Sequence, residues 1–179
     1  MEKRLVVEKL DQDASKNKQL AKQLTTMINQ AFRSTESGMW QSTMQRTNAD
    51  DIVDFIQNGE MVCVYKKAKV AGCMRLQRIT EEIAEIGMLA VDLTEQGLGV
   101  GRSLIQFGEA ELIAQGYKIL QIELLKPKNY SDESREKLQQ WYERLGYNQV
   151  EEHPLEEVLP ELASGLKVPS KFTVLHKYV

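Results

Sequence analysis

Cysteine and histidine are scarce in this chain of 179 residues, which has two of each. Cys63 and Cys73 are too few for a disulfide framework and lack the spacing of metal ligands. His153 and His176 stand apart in the sequence, so we expect no zinc site and no other metal. Because nothing calls for an oxidising compartment, the cytoplasm is the expected location.

The chain also lacks a long apolar run and a block of positive charge. No stretch approaches the roughly 20 apolar residues of a membrane-spanning helix, and residues 1–4 show no signal-peptide pattern. The formal net charge is -3 without a basic stripe, so we expect neither nucleic acid nor a membrane as partner. The composition is that of an ordinary globular protein, and the length fits one domain, residues 1–179.

A glycine-rich turn between an apolar strand and a helix is the most informative stretch. Gly97, Gly99 and Gly101 alternate just before a helix that runs on through Glu111. Glycines leave backbone N–H groups bare of side chains, and a helix N-terminus carries partial positive charge. The turn therefore predicts a binding site for a phosphate or pyrophosphate.

Two familiar phosphate-binding loops fail the spacing test. A dinucleotide-binding loop, G-x-G-x-x-G, would need its third glycine at the position of Arg102. A P-loop, G-x-x-x-x-G-K-[ST], would need its first glycine at Gln96, and its lysine is missing. A nucleotide-binding α/β protein stays an alternative, and preferential binding of adenine dinucleotides would restore it against the failed glycine spacing.

The pattern Q/R-x-x-G-x-G/A does fit, and it is filled by Gln96, Gly99 and Gly101. Together with its flanks it resembles the GNAT N-acetyltransferase superfamily, whose loop of this pattern binds the pyrophosphate of acetyl-coenzyme A (acetyl-CoA). Residues 85–92 resemble the central strand of that family, and residues 141–147 resemble its second motif. The resemblance covers roughly Cys63 to Val150.

Hydrophobic periodicity predicts seven strands and four main helices in the order β-α-α-β-β-β-α-β-α-β-β. The strands are expected over residues 4–9, 60–66, 70–80, 83–91, 118–125, 148–152 and 172–179. The helices are expected over residues 16–32, 49–57, the stretch after the glycine turn, and 131 or 132–145, with a short one over 154–162. With the resemblance, this order implies an α/β fold with a GNAT-like, mixed, mostly antiparallel central sheet flanked by helices.

The resemblance also implies which residues bind acetyl-CoA. Backbone groups of Leu89 and Val91 would pair with the pantetheine arm, and the Leu89 N–H would face the thioester oxygen. Asn129, in a link over residues 126–134 that is longer than in relatives, would replace an asparagine that contacts the carrier. The remaining expected contacts lie on the strand and the turn: Ala90, Gln96, Gly97, Leu98, Gly99, Val100, Gly101, Arg102 and Ser103.

Two side chains are candidates for the chemistry. Glu85 is the one acid in an otherwise apolar strand, and period-two alternation puts it on the face of Leu89 and Val91, where a half-buried carboxylate would suit a base. The alternative is an edge-facing glutamate paired with a lysine. Tyr142 matches the family tyrosine that protonates the departing sulfur, since a phenol with a pKa of about 10 stays protonated. A core tyrosine is the other interpretation.

The acceptor site is expected near the segment over residues 33–47, which lies over it in GNAT-like folds. Arg33, Trp40 and Arg46 are the candidate contacts; a surface loop with its tryptophan against the core is the alternative. An acidic insert would attract a cationic amine or be merely solvated. Its acids are Glu151, Glu152, Glu156, Glu157 and Glu161.

These features favour an acetyl-CoA-dependent N-acetyltransferase that transfers an acetyl group directly to a primary amine of a small molecule or peptide. No covalent enzyme intermediate is implied, because the sequence shows no Cys-His or Ser-His arrangement. The alternative is a non-catalytic acetyl-CoA-binding sensor or regulatory module. A homodimer is open, since the apolar stretch 172–175 could pair with a second subunit or close the sheet.

Overall fold

The computed structural model describes residues 4–179; residues 1–3, part of the stretch without a signal-peptide pattern, lie outside that range. Its seven strands are β1 (Leu5–Lys9), β2 (Met61–Lys66), β3 (Lys69–Arg78), β4 (Ile83–Val91), β5 (Ile119–Pro127), β6 (Asn148–Pro154) and β7 (Ser170–Tyr178). They form one sheet in the order β1-β2-β3-β4-β5-β7-β6. The β4–β5 pair is parallel and the other five pairs are antiparallel, which confirms the expected mixed α/β fold.

Across residues 4–179, five α-helices accompany the sheet: α1 (Lys18–Thr35), α2 (Ala49–Gln57), α3 (Val100–Ala114), α4 (Glu133–Arg144) and α5 (Leu155–Val158). The bounds of α2 match the prediction, because the Asn48 side chain caps it by accepting from the Asp51 N–H at 2.9 Å. Helix α1 begins two residues later than predicted, since Asn17 caps it and residues 12–16 form a 3-10 helix. The predicted helix 154–162 is interrupted before Pro160, which has no N–H to donate to an α-helix and instead begins a 3-10 helix over residues 160–165.

Helices cover both faces of the sheet. Leu104, Ile105 and Leu112 of α3 are buried in one cluster with Ile86 of β4 and Tyr142 of α4. Helices α1 and α2 bury a second cluster on the opposite face, which includes Ala90 of β4. The apolar stripes of α1 and α3 therefore face the core, as their helical periodicity predicts.

Strand β7 lies between β5 and β6, so both of its edges are paired within the chain. The stretch 172–175 thus closes the sheet and is not available as an edge for a second subunit, which corrects that route to a dimer. A homodimer by another surface stays a prediction. Within residues 4–179, no helix combines the length and the apolar character needed to cross a bilayer.

Strands β4 and β5 pair over only three residue pairs and then separate. The last pair joins Glu85 to Gln121, after which β4 continues to Val91 and β5 to Pro127 without further pairing. Strands that diverge in this way leave a gap in the sheet and backbone groups without a strand partner along its walls. This gap is where the candidate site lies.

Candidate active site

A cavity of about 1030 Å³ occupies the gap between β4 and β5. Its walls come from Gly87 to Leu89 of β4, Ile122 to Leu125 of β5, the glycine turn, and Trp141 and Tyr142 of α4. Some of these residues belong to the α3–α4 face of the sheet and others to the α1–α2 face. The cavity therefore runs through the sheet, with one end at the glycine turn and the other under α1.

The glycine turn is shaped for an anion. Gly97 (φ 74°) and Gly99 (φ 83°) adopt left-handed conformations, and a Cβ built on either meets nothing within 4 Å. The first hydrogen bond of α3 runs from the Ser103 N–H to the Gly99 carbonyl at 3.0 Å, and no side chain caps the helix. The N–H groups of the first turn thus have no partner within the helix and are available to a pyrophosphate. A site for coenzyme A needs such donors.

Eight of the expected acetyl-CoA contacts line the cavity: Leu89, Val91, Gln96, Gly97, Gly99, Val100, Gly101 and Arg102. Arg102 is exposed and, within residues 4–179, forms no ion pair, so its charge is available to a phosphate. The remaining four lie elsewhere. Ala90 is buried on the opposite face, Leu98 is 57% exposed, and the Ser103 hydroxyl donates to the Gly99 carbonyl.

Asn129 is the fourth, and it lies in an exposed loop away from the cavity wall. The two lysines of the same link form ion pairs with glutamates. Lys126 pairs with Glu136 (2.6 Å) and Lys128 with Glu156 (3.2 Å). The longer link is thus fastened by its own ion pairs, and the structure does not bring its asparagine to the cavity.

Tyr142 lies on the donor side of the gap. It is buried, its ring is 5.0 Å from that of Trp141 and 6.3 Å from that of Tyr147, and it lines the cavity. Burial raises the pKa of Tyr142 to about 12, against a smaller opposing effect of the Arg135 charge. Within residues 4–179 its hydroxyl has no hydrogen-bond partner, so the cavity holds a protonated phenol that can donate.

A buried ion pair fixes α4, and with it Tyr142, against β5 and α1. The Arg135 Nη2 lies 3.4 Å from a Glu36 carboxylate oxygen, and its Nε donates to the Leu125 carbonyl at 3.0 Å. The side chains of both charged residues are at most 5% exposed. Removing either partner would leave an uncompensated buried charge, which is strongly destabilising.

Glu85 lies on the face opposite to the one that alternation predicted. Met88 and Leu89 of β4 together oppose a single residue of β3, between the pairs Cys73–Ala90 and Arg75–Gly87. This β-bulge, with Met88 at φ 50°, reverses the alternation. Leu89 and Val91 therefore face α3, whereas Glu85 faces α1. The expectation that the three share a face is wrong.

Glu85 is held by a side-chain relay rather than by a lysine. The Gln121 Nε2 donates to Glu85 Oε2 at 2.8 Å, and Gln121 Oε1 lies 2.9 Å from His176 Nε2. Burial raises the pKa of Glu85, and the Gln121 hydrogen bond and the charges of Arg75 and Arg46 oppose that rise.

Glu123, one pleat beyond Gln121 on β5, was missed by the sequence reasoning. It lines the cavity, and its pKa is raised to about 7, first by burial and then by the negative charge of Glu85, with Arg46 acting in the opposite direction. The signal was available, since Glu123 is the one acid in the apolar stretch 119–125 just as Glu85 is in its own strand. Only the β4–β5 register brings the two acids to one site.

Of the three candidates in the segment 33–47, Arg46 alone lines the main cavity. Trp40 is buried, and its Nε1 donates to Glu36 at 2.6 Å. Arg33 is exposed, and both Arg33 and Trp40 line a separate cavity of about 190 Å³. The tryptophan packed against the core is therefore the interpretation that the structure favours.

Most acids of the insert have partners at the surface. Glu152 pairs with Lys171 at 2.8 Å and Glu156 with Lys128 at 3.2 Å, while Glu151 lies 3.2 Å from His153. Glu161 is the member of this group that lines the cavity. Glu85 and Glu123 also line the cavity, so the insert contributes only one of the acids in its wall.

Comparison with known proteins is consistent with this geometry. The acetyltransferase (GNAT) domain family matches residues 57–149, just over half of the chain. No curated protein matches the sequence. The matched range includes β4, the glycine turn and Tyr142, which are the elements that carried the resemblance.

Solved structures extend the likeness over nearly the whole chain. An N-acetyltransferase from Staphylococcus aureus Mu50 is 16% identical over 98% of each chain (TM-score 0.67). An IAA acetyltransferase from Bacillus cereus is 15% identical over 98% of this chain and 100% of its own (TM-score 0.66). A Mycobacterium tuberculosis protein solved with CoA is 14% identical over 97% and 99% (TM-score 0.63). At these identities the likeness shows a shared fold.

Proposed function

Because the chain belongs to the GNAT acetyltransferase family, we propose that it transfers an acetyl group from acetyl-CoA directly to a primary amine of a small molecule or peptide. The single observation that carries this proposal is the cavity that joins an open glycine turn to a half-buried pair of acids, Glu85 and Glu123. We further propose that residues 1–179 act as one domain, since strands from both ends of the chain belong to one sheet.

The donor would be held by backbone groups. We assign the pyrophosphate to the N–H groups at the start of α3, with Arg102 adding positive charge, and the pantetheine arm to the stretch of β4 without a β5 partner. When bound, acetyl-CoA supplies the thioester from which the acetyl group leaves. The Leu89 N–H, on the same stretch of β4, is our candidate donor to the negative charge that develops on the carbonyl oxygen.

The proton of the acceptor amine would pass to the pair of acids. An amine arrives as an ammonium ion, which must lose a proton before its nitrogen can attack. A carboxyl group whose pKa is about 7, as at Glu123, is about half ionised at neutral pH. Its carboxylate form can therefore serve as a general base. We assign the base to Glu123 acting with Glu85, whose neighbouring charge helps to raise the pKa.

Tyr142 would complete the transfer by donating its hydroxyl proton to the departing thiolate. Its pKa of about 12 keeps the phenol protonated at neutral pH, and it lies across the gap from the two acids. A base on one face of the sheet and an acid on the other would let one proton leave the amine while another reaches the sulfur.

Thermal unfolding with and without acetyl-CoA, followed by a thiol-release assay with primary amines, tests the proposal. A ligand at 100 times its dissociation constant adds about 2.7 kcal/mol to the free energy of unfolding, which would raise the midpoint clearly. A rise together with thiol release supports the enzyme. A rise without release for any amine would favour the sensor instead, and no rise at saturation would overturn the donor site.

A further inference from the structure

The Arg46 guanidinium has hydrogen-bonding capacity that the described chain does not use. Its Nε and Nη1 atoms are fully buried, and within residues 4–179 neither has a hydrogen-bond partner. No carboxylate oxygen of those residues lies within ion-pairing distance of it, since no salt bridge includes Arg46. A buried charged donor without an acceptor is unfavourable, so such a group in a cavity points to a ligand that supplies the acceptor.

The backbone beneath Arg46 is held in place. The Asn29 side chain, itself buried, accepts from the Arg46 N–H at 2.8 Å and the Thr47 N–H at 3.1 Å, and donates to the Thr47 carbonyl at 3.0 Å. The guanidinium carbon lies 5.1 Å from the Phe32 ring centre and 6.0 Å from that of Phe172. An arginine fixed by its backbone and flanked by two rings is preorganised for a ligand.

Arg46 shares its end of the cavity with the two acids. Arg46, Glu85 and Glu123 all line this space, and the positive charge of Arg46 acts on both carboxyl groups. Arg75, which also acts on Glu85, is already paired with Glu60 at 2.7 Å. A ligand that satisfies all three would carry an ammonium for the acids and an anion for the guanidinium, a short distance apart. An amino acid has this pattern, whereas a polyamine would bring only positive charge against Arg46.

We propose that Arg46 binds the carboxylate of the acceptor, and that the acceptor is therefore an amino acid or a close amino-carboxylate relative. The inference rests on the proposed acetyltransferase function and narrows its acceptor. A planar guanidinium with two N–H donors on one edge matches a carboxylate, which can accept both hydrogen bonds. The bound carboxylate would turn the amine towards Glu123 and Glu85 while partly compensating the charge of Arg46.

The test compares dead-end product complexes, so it does not require turnover. In the presence of CoA, the unfolding midpoint is measured with each of the twenty common amino acids in N-acetylated form. Each acid that binds is paired with its decarboxylated counterpart, for example N-acetyl-L-phenylalanine with N-acetyl-2-phenylethylamine. We expect at least one N-acetyl amino acid to raise the midpoint and its counterpart to bind at least about 100-fold more weakly, the size of a lost hydrogen-bonded charge pair.

Variants then assign the preference to Arg46. Arg46→Met should abolish the difference between acid and counterpart, Arg46→Lys should restore part of it because the charge remains, and Arg78→Met, at an exposed arginine outside the cavity, should leave it intact. In thiol-release assays, Arg46→Met should lower kcat/KM more for amino acids than for plain amines. An equal loss for both would mean that Arg46 only balances the charges of Glu85 and Glu123.

Three outcomes would overturn the inference while leaving the acetyltransferase standing. They are equal binding of acid and counterpart, an unchanged preference in Arg46→Met, and binding of CoA without binding of any carboxylate-bearing product. Failure of the protein to bind acetyl-CoA would instead remove the proposed function itself. The two failures are therefore told apart by the midpoint measured with acetyl-CoA alone.

Discussion

The two ends of the cavity are built in different ways. The proposed donor end consists of consecutive residues, 96–102, and we assign the binding there to backbone N–H groups. Two of its glycines, Gly97 and Gly99, have positive φ angles and open space around them. The proposed acceptor end consists of half-buried charged side chains from three distant segments, Arg46, Glu85 and Glu123, which line the cavity. Backbone recognition tolerates substitution of side chains, whereas a buried charge cluster depends on each member. Variants at the acceptor end should therefore have the larger effects.

The largest effect is expected for Glu123→Gln. The amide cannot accept the proton of the amine, so kcat/KM should fall about 1,000-fold, within the range of general-base catalysis. In the wild type, kcat/KM should rise with pH through about 7, where Glu123 loses its proton, and the variant should lack this rise. Steady-state kinetics between pH 5.5 and 9 measures both.

Glu82→Gln, at an exposed turn, is the matched control for that experiment. Protein stability offers a second check. Since the pKa of Glu123 is raised above its ordinary value of 4.5, ionisation costs the folded protein stability as pH rises towards and through 7. Glu123→Gln should thus raise the unfolding midpoint more at pH 8 than at pH 5; an equal gain at both would contradict the burial of this charge.

Tyr142→Phe should have the next largest effect. The phenylalanine keeps the packing against Trp141 and Tyr147 but has no proton to give to the thiolate, so kcat should fall about 100-fold. The KM for acetyl-CoA should change little. Tyr130→Phe, at an exposed tyrosine, serves as the control. Undiminished turnover in Tyr142→Phe would show that Tyr142 is a core residue and not the general acid.

Gly99→Ala should have the smallest effect, and a matched variant separates its two causes. Gly99 (φ 83°) and Gly116 (φ 96°) are both left-handed, with open space where a Cβ would be, so alanine at either should cost about 1 kcal/mol of stability through backbone strain alone. Only Gly99→Ala should also weaken acetyl-CoA binding, by about tenfold. Calorimetric titration of both variants with acetyl-CoA measures the two affinities. Equal affinities would contradict the assignment of the pyrophosphate to this turn.

Local features of the chain were predictable because their causes are local. The Asn48 cap of α2, the bounds of β4 and the strand-turn-helix of the glycine stretch follow from caps, periodicity and glycine conformations within a few residues. The order of strands and helices, with the resemblance, was enough to give the fold. Six of the expected donor contacts, those on residues 96–102, line the cavity for the same reason, since the conformation of the turn is local.

The tertiary structure alone decided the acceptor end. One extra residue in β4 places Glu85 on the face opposite to Leu89 and Val91. This bulge depends on pairing with β3, so the alternation of residues along β4 does not reveal it. The parallel register of β4 and β5 places Glu123 near Glu85. A hydrogen bond from the Arg46 N–H to the Asn29 side chain holds Arg46, which lies in a segment without regular structure. The sequence by itself determined the open glycine turn in which we predict that a phosphate binds, because backbone conformation is a local property. Which charged side chains line the proposed acceptor end depended on strand register and packing, because these bring together residues that are far apart in the sequence.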